Sequence, residues 1–590
     1  MNEKWVEETL NGILNGTVFP KATKEHFGVV KAGNGINVAD GEISVDIFTI
    51  TYEQPDHGHI AVNPTAILRG MDATATFTAD ENYHIADVKV DGVSVGAVDT
   101  YEFENVTEPH TVELIIAENP IITVIQATGG TISPETCHVE VGGNQAFTIA
   151  CDYQYKLNKL IIDGVDVARA DTYTFTDVVE NHTITAVYDK ATIYSFVVTP
   201  ANQTSTAAGV WNSGTGGAAA IDALTGSAVS GFAASDGSDV STYEKRAAVY
   251  CSVCPPILVP KNDFDNEIIM SESDWSKKAD GTSMTIDWNT HDLFRGMELC
   301  YLRITGNSTQ YKVEMVNAPM NEADGWFTMH KAGEGFTERL YLGVYPGTTS
   351  NSKLNSAHVS SAPANTASND TWYTQATANG PTYNSCIWIT RVLWNIWHYF
   401  VYGTLNIENI VKGYISGGSS ASSLHANTAN ISMTGGITQG GTSTAVDAVT
   451  LGIKDYFGQQ WQQLGGATWS AGTMKIQTNQ ADRAKVTSPS ATWETFTGLI
   501  ASTSLSESYI KEVSLNKHSF GFPTVVGGSS TTYYCDAIWS TSGTMQVRAG
   551  GRCAVGSACG LVAALVNDAV DWSGSWSNGA RLQAYKPLGA

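Results

Sequence analysis

The sequence has little charge, and positive charge is the scarcer kind. Its 590 residues include 33 Lys and Arg against 58 Asp and Glu, which gives a formal net charge of −25 at pH 7. Contacts to nucleic-acid phosphates need clustered basic side chains, so the composition excludes a nucleic-acid partner. Low charge together with 56 glycines and 15 tryptophans favours a β-rich, turn-rich protein of several domains.

No stretch is long and apolar enough to predict a membrane-spanning helix. The richest segment, CIWITRVLWNIWHYFVYG at 386–403, is interrupted by Arg391, Asn395 and His398. Its apolar residues would cover most of the circumference of a helix, which predicts a buried helix near 388–415. The first residues, MNEKWVEETLNGIL, have neither the basic nor the apolar region of a signal peptide, so we expect folding in a reducing cytoplasm.

Motifs for catalysis and for metal binding are also missing. The sequence contains no GxSxG, HExxH or P-loop, and no GxGxxG after a strand. Neither the EPN nor the WND triplet of calcium-dependent sugar sites occurs, and the single CSVC at 251–254 has no second ligand pair. We therefore predict a protein that is not an enzyme and that uses no metal or cofactor.

Two copies of one repeat follow an N-terminal unit at 1–48. The copies begin YHIADVKVDGVSVG at Tyr83 and YKLNKLIIDGVDVA at Tyr155, and they keep a constant offset of 72 residues, which also relates His110 to His182. Alternating residues around an Asp-Gly turn predict two β-sandwich units at 49–119 and 120–190, acting as spacers. HFGVVKAGNGINVADGEISVDI at 26–47 resembles the short N-terminal segments with which phage fibre and spike proteins trimerise and attach to the virion.

The second half of the chain mixes several kinds of structure. Residues 191–245 are rich in Gly, Ala, Ser and Thr, which is typical of a linker or of the loops that open a final domain. Residues 246–590 combine strands, the aromatic helix and Gly/Ser loops. They are predicted to form one large α+β domain.

Several motifs of this last part occur in a characteristic order. They are SESDWSKKADGT (271–282), ERLYLGVYPGTTSNSKLNS (338–356), WITRVLWNIWHYFVYGTLNIEN (388–409), KDYFGQQWQQLGGATW (454–469), TTYYCDAIW (531–539) and, after VRA, GGRCAVGSACGLVAALVNDAVDWSGSWSNGARL (550–582). Together, over roughly 190–590, they resemble the variable proteins of diversity-generating retroelements, which have a C-type lectin fold. The resemblance implies a C-type-lectin-like domain at 246–590.

The resemblance also assigns roles within the C-terminal segment. In the family a glycine-rich scaffold stays fixed while selected codons between its residues are rewritten. The implied scaffold positions are Gly550, Gly551, Gly556, Ser557, Gly560, Leu561, Gly579, Ala580, Arg581 and Leu582. The implied display positions, which would bind the ligand, are Ala554, Val555, Ala558, Val562, Ala564, Asn567, Asp568, Trp572, Ser575, Trp576 and Asn578. Of the tryptophans, Trp572 and Trp576 are favoured as binding anchors, while Trp539 is expected to be a core residue.

The function implied is host attachment by a phage or prophage tail fibre. Such a protein would be a homotrimer in the virion, assembled in the host cytoplasm. Its N-terminus would join other tail proteins, and its C-terminal domain would bind a host-surface protein or glycan. Two alternatives are a bacterial surface adhesin, which the missing export signal disfavours, and a tail-associated polysaccharide depolymerase. Cys553 and Cys559 are the one weak candidate for the paired catalytic cysteines of enzymes that share the fold.

Overall fold

The computed structural model describes residues 36–39, 42–203, 217–222, 228–358, 367–411, 437–439, 448–458, 460–482, 484–552, 558–570, 572 and 578–587. Within them the chain is a mostly-β multidomain protein with few helices. At the N-terminus, β1 (Ile36–Ala39) and β2 (Glu42–Val45) form an antiparallel hairpin. Most of the predicted unit 1–48 lies outside the described residues.

The first repeat consists of small sheets around one apolar core. Its strands are β3 (Ile47–Phe48), β4 (Ile50–Tyr52), β5 (Gly58–Asn63), β6 (Ile67–Leu68), β7 (Ala73–Ala79), β8 (Tyr83–Val90), β9 (Val93–Gly96), β10 (Thr100–Phe103) and β11 (His110–Glu118). One sheet has the order β10-β7-β5, a second has the order β4-β11-β8-β9, and β3 pairs with β6. Along β7, more buried side chains alternate with more exposed ones, as expected of a strand with one face on a core.

The second repeat has the same plan. Its strands are β12 (Ile121–Ile125), β13 (Gly130–Ser133), β14 (Cys137–His138), β15 (Gly143–Cys151), β16 (Tyr155–Ile162), β17 (Val165–Val167), β18 (Thr172–Val178) and β19 (His182–Lys190). They form the sheets β13-β15-β18 and β14-β12-β19-β16-β17. Strands β16 and β19 have the bounds of β8 and β11 shifted by 72 residues, so the sequence duplication is also a structural one.

A side-chain clamp closes the Asp-Gly turn of each repeat. Asp91 has left-handed backbone with φ 50°, its Oδ2 lies 2.7 Å from His110 Nδ1, and its Oδ1 accepts the N–H of Thr111 at 2.8 Å. Asp163 has the same φ, and its Oδ2 lies 2.8 Å from His182 Nδ1. The Asp and His residues that pair at the constant offset are therefore the two ends of a local clamp.

The remaining elements belong to the last part of the chain. From 194 to 355 they are β20 (Tyr194–Val198), α1 (Gly217–Asp222), β21 (Val229–Ala234), α2 (Tyr243–Val253), β22 (Pro256–Pro260), β23 (Ile268–Ile269), β24 (His291–Glu298), β25 (Tyr301–Asn307), β26 (Gln310–Val316), β27 (Phe327–Thr328), β28 (Lys331–Ala332), β29 (Gly335–Gly343), β30 (Thr348–Ser350) and β31 (Lys353–Asn355). Strands β20 and β21 join the sheet β21-β20-β26-β25-β27. The described parts of 191–245 therefore supply strands to the same sheet as β25, β26 and β27.

The C-terminal elements begin with two helices. They are α3 (Asn369–Thr377), β32 (Tyr383–Ser385), α4 (Trp388–Tyr402), β33 (Thr438–Gln439), β34 (Val449–Thr450), β35 (Ile453–Lys454), β36 (Trp461–Ser470), β37 (Thr473–Ile476), β38 (Glu494–Phe496), β39 (Ser508–Val513), β40 (Pro523–Val526), β41 (Ala537–Ser540), β42 (Met545–Ala549), β43 (Ala564–Val566), β44 (Asn578–Gly579) and β45 (Leu582–Pro587). Short 3-10 turns lie at Pro200–Asn202, Glu322–Asp324, Ile407–Asn409 and Lys517–Ser519.

Two large sheets organise these elements. One has the order β23-β22-β24-β29-β45-β32, with β28 beside β29, so the C-terminal strand lies inside it. The other has the order β38-β37-β36-β42-β43-β41-β39-β40, with β44 beside β36, and is called the C-terminal sheet below. Small sheets β30-β31 and β33-β34-β35 complete the domain.

The predicted aromatic helix is α4, and all of its side chains are buried. Its apolar residues share one core with side chains from both large sheets and from the sheet of β20 and β21. The helix ends at Gly403, which has left-handed backbone with φ 69°. At 15 residues it is too short to cross a bilayer, and none of the other described helices is long and apolar enough to do so.

The three polar residues that interrupt α4 bind to surrounding segments. Their spacing of four and three residues puts Arg391, Asn395 and His398 on one face. Arg391 donates to Tyr456 O at 2.8 Å, Asn395 Nδ2 donates to Leu561 O at 2.9 Å, and His398 Nε2 lies 2.9 Å from the Oγ1 of Thr450. Burial lowers the pKa of His398 to about 3, so the imidazole is neutral. Through these three contacts the helix holds the chain around residues 450–456 and at Leu561.

Candidate ligand-binding surface

The C-terminal sheet has two chemically different faces. Ile538 and Val547 lie on the inner face and pack in the core around α4. Side chains alternate along each strand, so the neighbouring residues Trp539 and Arg548 point to the opposite side. Both pair directly with Leu565 of β43, which places the three side chains in one row across β41, β43 and β42. We call this side the outer face.

Two tryptophans pack together on the outer face. Trp461 and Trp539 meet edge to face with their ring centroids 5.5 Å apart, and Ala563 and Leu565 complete this small apolar cluster. Trp461 is buried, whereas Trp539 keeps part of its surface exposed. Trp539 therefore packs in a satellite cluster of the sheet, at the border of the accessible surface.

Predicted scaffold glycines lie where a side chain would not fit. Gly551 has φ 80°, and a Cβ there would come within 2.2 Å of the Sγ of Cys559. A Cβ on Gly560 would come within 2.0 Å of Asp536 Oδ1. Gly550 has φ 92° and lies against the backbone of Tyr456. Two of these glycines have the backbone conformation that favours glycine, and all three are closely packed.

A buried carboxyl group holds the chain between two scaffold positions. Asp536, which follows β40 and precedes β41, accepts the backbone N–H of Val562 at 2.8 Å. Burial raises the pKa of Asp536 well above its usual value, against the smaller opposing effect of that hydrogen bond. The contact fixes the start of the segment that leads into β43.

Arg581 anchors the end of the segment. It is 1% exposed, and its guanidinium donates to four backbone carbonyls, those of Gly343, Val344, Lys454 and Asp455, at distances of 2.7 to 3.1 Å. Burial lowers its pKa to about 10. The Arg of the GARL sequence therefore ties the start of β45 to the ends of β29 and β35.

The structure corrects the display prediction at four positions. Ala558 and Asn578 are fully buried, Ala564 is 2% exposed and Val562 is 5% exposed. Ala564 and Val562 pack in the core around α4, because β43 turns that side of the segment inward. These four side chains lie inside the domain and do not form an exposed binding surface.

Three predicted display positions are accessible and lie together. Asn567 is exposed, and Asp568 and Trp572 are partly exposed, all just after β43. Ala554, Val555, Ser575 and Trp576 lie outside the described residues, as do the scaffold positions Gly556 and Ser557. Ligand binding by these residues stays a prediction.

Arg548 brings these accessible residues together. Its guanidinium donates to Asn578 Oδ1 at 2.9 Å and to Asn567 Oδ1 at 3.1 Å, and it forms an ion pair with Asp568. The ring of Trp572 lies over the same group, 5.1 Å from its central carbon to the ring centroid. Sequence reasoning gave Arg548 no role, although a lone arginine between valine and alanine in a strand is a signal for a buried, paired cation.

The outer face also holds unsatisfied amides. Gln463 pairs across the sheet with Arg548 and is 1% exposed, and Gln546 is fully buried. Both side-chain amide atoms of each residue lack a hydrogen-bond partner in the part of the chain that the structure describes. Buried amides without partners cost stability, so the layer under the accessible residues is polar and incompletely satisfied.

Among the described residues, thiols and metal-ligating side chains do not form a second site. Over the described ranges, no group of three or more His, Cys, Asp or Glu side chains is arranged to hold a metal ion. Cys559 points its Sγ at the carbonyl of Arg552, 3.4 Å away, and Cys553 lies outside the described residues. His57 stacks on Tyr83 with ring centroids 4.0 Å apart.

Comparison with known proteins gives no family for this chain. No protein-family model matches the sequence, and no curated protein matches it at a significant level.

Proposed function

We propose that the chain is the receptor-binding protein of a phage or prophage tail fibre, and that it binds a host-surface protein or glycan without catalysis. The C-terminal domain would be a C-type-lectin-like domain whose segment 550–582 is diversified. The N-terminal unit would attach the fibre to other tail proteins, the two β-sandwich repeats would act as spacers, and three chains would assemble in the host cytoplasm.

One observation carries this proposal. Within a single segment, Gly551, Gly560 and Arg581 are fixed by close packing or by backbone hydrogen bonds, while Asn567 and Trp572 between them are accessible. A rigid frame with accessible aromatic and amide side chains is the arrangement that antibody loops use for recognition. Trimerisation would add avidity to weak contacts at each site.

The test is attachment to cells. Fluorescently labelled full-length protein is incubated with a broad panel of bacterial isolates. Bound fluorescence is measured for the wild type, for Trp572→Ala plus Trp576→Ala, and for Tyr153→Ala. Tyr153 is a matched aromatic control, 60% exposed on the second repeat. We expect binding to at least one isolate, a loss of about tenfold or more in the double variant and no change in the control.

Three outcomes would count against the proposal. They are no binding to any isolate, equal binding by the double variant, and release of oligosaccharides from capsule or cell wall, which would identify a depolymerase. Light scattering coupled to size-exclusion chromatography checks the trimer, whose mass is expected to be three times that of the 63.0 kDa chain.

A further inference from the structure

The acceptors of Arg548 come from the segment that the proposed function treats as variable. Among the described residues they are Asn567, Asp568 and Asn578, three predicted display positions. The fourth position that touches the guanidinium, Trp572, offers only its ring. Three accessible display positions and the buried Asn578 therefore converge on one side chain of the sheet.

Within the described residues, Arg548 has no alternative acceptor in place. It is 2% exposed, and its Nε has no partner among those residues. Gln463 lies opposite it in the sheet, yet the amide atoms of Gln463 also have no partner in the described ranges and so do not serve Arg548. The neighbouring Arg552 carries the same charge. A segment that lost its oxygen atoms would leave a buried cation uncompensated.

Because Arg548 is buried, losing its oxygen acceptors would strongly destabilise the fold. Removing one partner of a buried ion pair leaves a desolvated charge, whereas replacing both partners by apolar groups is often close to neutral. The cost of an apolar residue at 567, 568 or 578 thus depends on whether Arg548 is present. Positions that share one buried cation cannot vary independently.

We infer that Arg548 is a positioning residue that makes positions 567, 568 and 578 interdependent, since the segment must supply the guanidinium with oxygen acceptors. This inference rests on the proposed function, because it concerns which versions of the binding segment can exist. It also explains how Trp572 is placed: the guanidinium that collects the acceptors lies beneath its ring. Arg548 then determines specificity through the residues that it holds.

The test is a set of unfolding measurements in two backgrounds. Asn567→Ala, Asp568→Ala and Asn578→Ala are made singly and together in the wild type and in Arg548→Met, and the unfolding equilibrium constant is measured in denaturant. In the wild type we expect the triple variant to raise this constant by about 100-fold or more. In Arg548→Met the same triple variant is expected to raise it by less than about tenfold.

An equal loss in both backgrounds would overturn the inference, because a merely structural role would not be rescued by removing the cation. A second series applies if Arg548→Met does not fold. Asp568→Asn and Asn567→Asp keep an oxygen and should be tolerated. Asp568→Leu plus Asn567→Leu should destabilise the protein. The leucine pair should also speed hydrogen exchange of the backbone N–H of Gln546, which donates to Asp568 O at 3.1 Å. Tolerance of the leucine pair would also overturn it.

These measurements need no receptor, so the two proposals can fail separately. Rescue in Arg548→Met without attachment to any isolate would leave the interdependence intact and remove the proposed function. Attachment to cells together with an equal loss of stability in both backgrounds would support the proposed function and overturn the interdependence.

Discussion

The C-terminal segment gets its structure from small residues and buried arginines. Gly551 and Gly560 leave no room for a Cβ, and Arg581 uses its guanidinium on backbone carbonyls instead of a carboxylate. Contacts of this kind depend little on the side chains between them. The residues that fix the backbone of the segment are therefore different from the residues whose side chains are accessible.

Replacing Gly551 by alanine tests this frame. The new Cβ would meet the Sγ of Cys559 at 2.2 Å, and φ is 80°, so both packing and backbone are strained. We expect a loss of about 3 kcal/mol or more in the free energy of unfolding, measured in denaturant. Gly281→Ala is the matched control, because Gly281 has φ 86° with no atom within 4 Å of a Cβ. It should lose only about 1 kcal/mol, and equal losses would contradict the packing argument.

The scaffold positions were implied by the resemblance alone, not by the spacing of the residues. Among them, Gly551 and Gly560 are closely packed and Arg581 binds backbone carbonyls. The burial of Ala564 and Asn578 could not be predicted, since it depends on how β43 and β44 pair with distant strands. The partners of Arg548 could not be predicted for the same reason, because they are separated from it by 19 to 30 residues.

At the scale of elements, periodicity identified the helix, and a local glycine cap sets its end. The aromatic pattern predicted a helix near 388–415, and α4 ends at Tyr402 because Gly403 takes left-handed backbone. Its polar residues, which excluded a membrane span, bind Tyr456 and Leu561. In the repeats, the paired Asp and His positions proved to be turn clamps, a role that needs the hairpin geometry to be seen.

The clamps predict how the repeats respond to acid. His110 and Thr111 bind the Asp91 carboxylate and lower its pKa below the ordinary 3.8; at Asp163 burial acts upward, but the bonds from His182 and Thr183 outweigh it. A lowered folded-state pKa adds stability at neutral pH that is lost as pH falls from about 4 through the folded value.

Asp91→Asn plus Asp163→Asn should therefore lower the melting temperature of the repeats at pH 7 by about 2–5 °C, since the carboxylates are partly exposed. The difference from the wild type should shrink below pH 3.8. Melting curves from pH 7 to 2.5 measure it. Asp80→Asn, at an exposed carboxyl 3.9 Å from His57, is the control and should change little. A difference that grows on acidification would reverse the argument.

At the scale of the whole molecule, duplication was readable and long-range assembly was not. The offset of 72 residues located both repeats, because each is a local unit with its own core. The last domain instead pairs β20, near residue 195, with β26, and places β45 between β29 and β32. Local sequence patterns do not predict which distant strands will pair. For this reason the sequence of the Gly-rich segment 191–245 was compatible both with a linker and with the loops that open the last domain.

Separate cores predict separate unfolding of the two repeats. Val88 and Leu160, equivalent at the offset of 72, are fully buried in the first and second cores respectively. Leu160→Ala should cost the second repeat about 2–5 kcal/mol and leave the first unchanged, and Val88→Ala should do the opposite. Scanning calorimetry of the full chain, followed by hydrogen exchange to assign each transition, measures this. A shift of the unfolding transitions of both repeats by either variant would contradict this prediction. The two repeats would then unfold as one cooperative unit, coupled through polar contacts such as the His138–Asn119 bond at 3.2 Å.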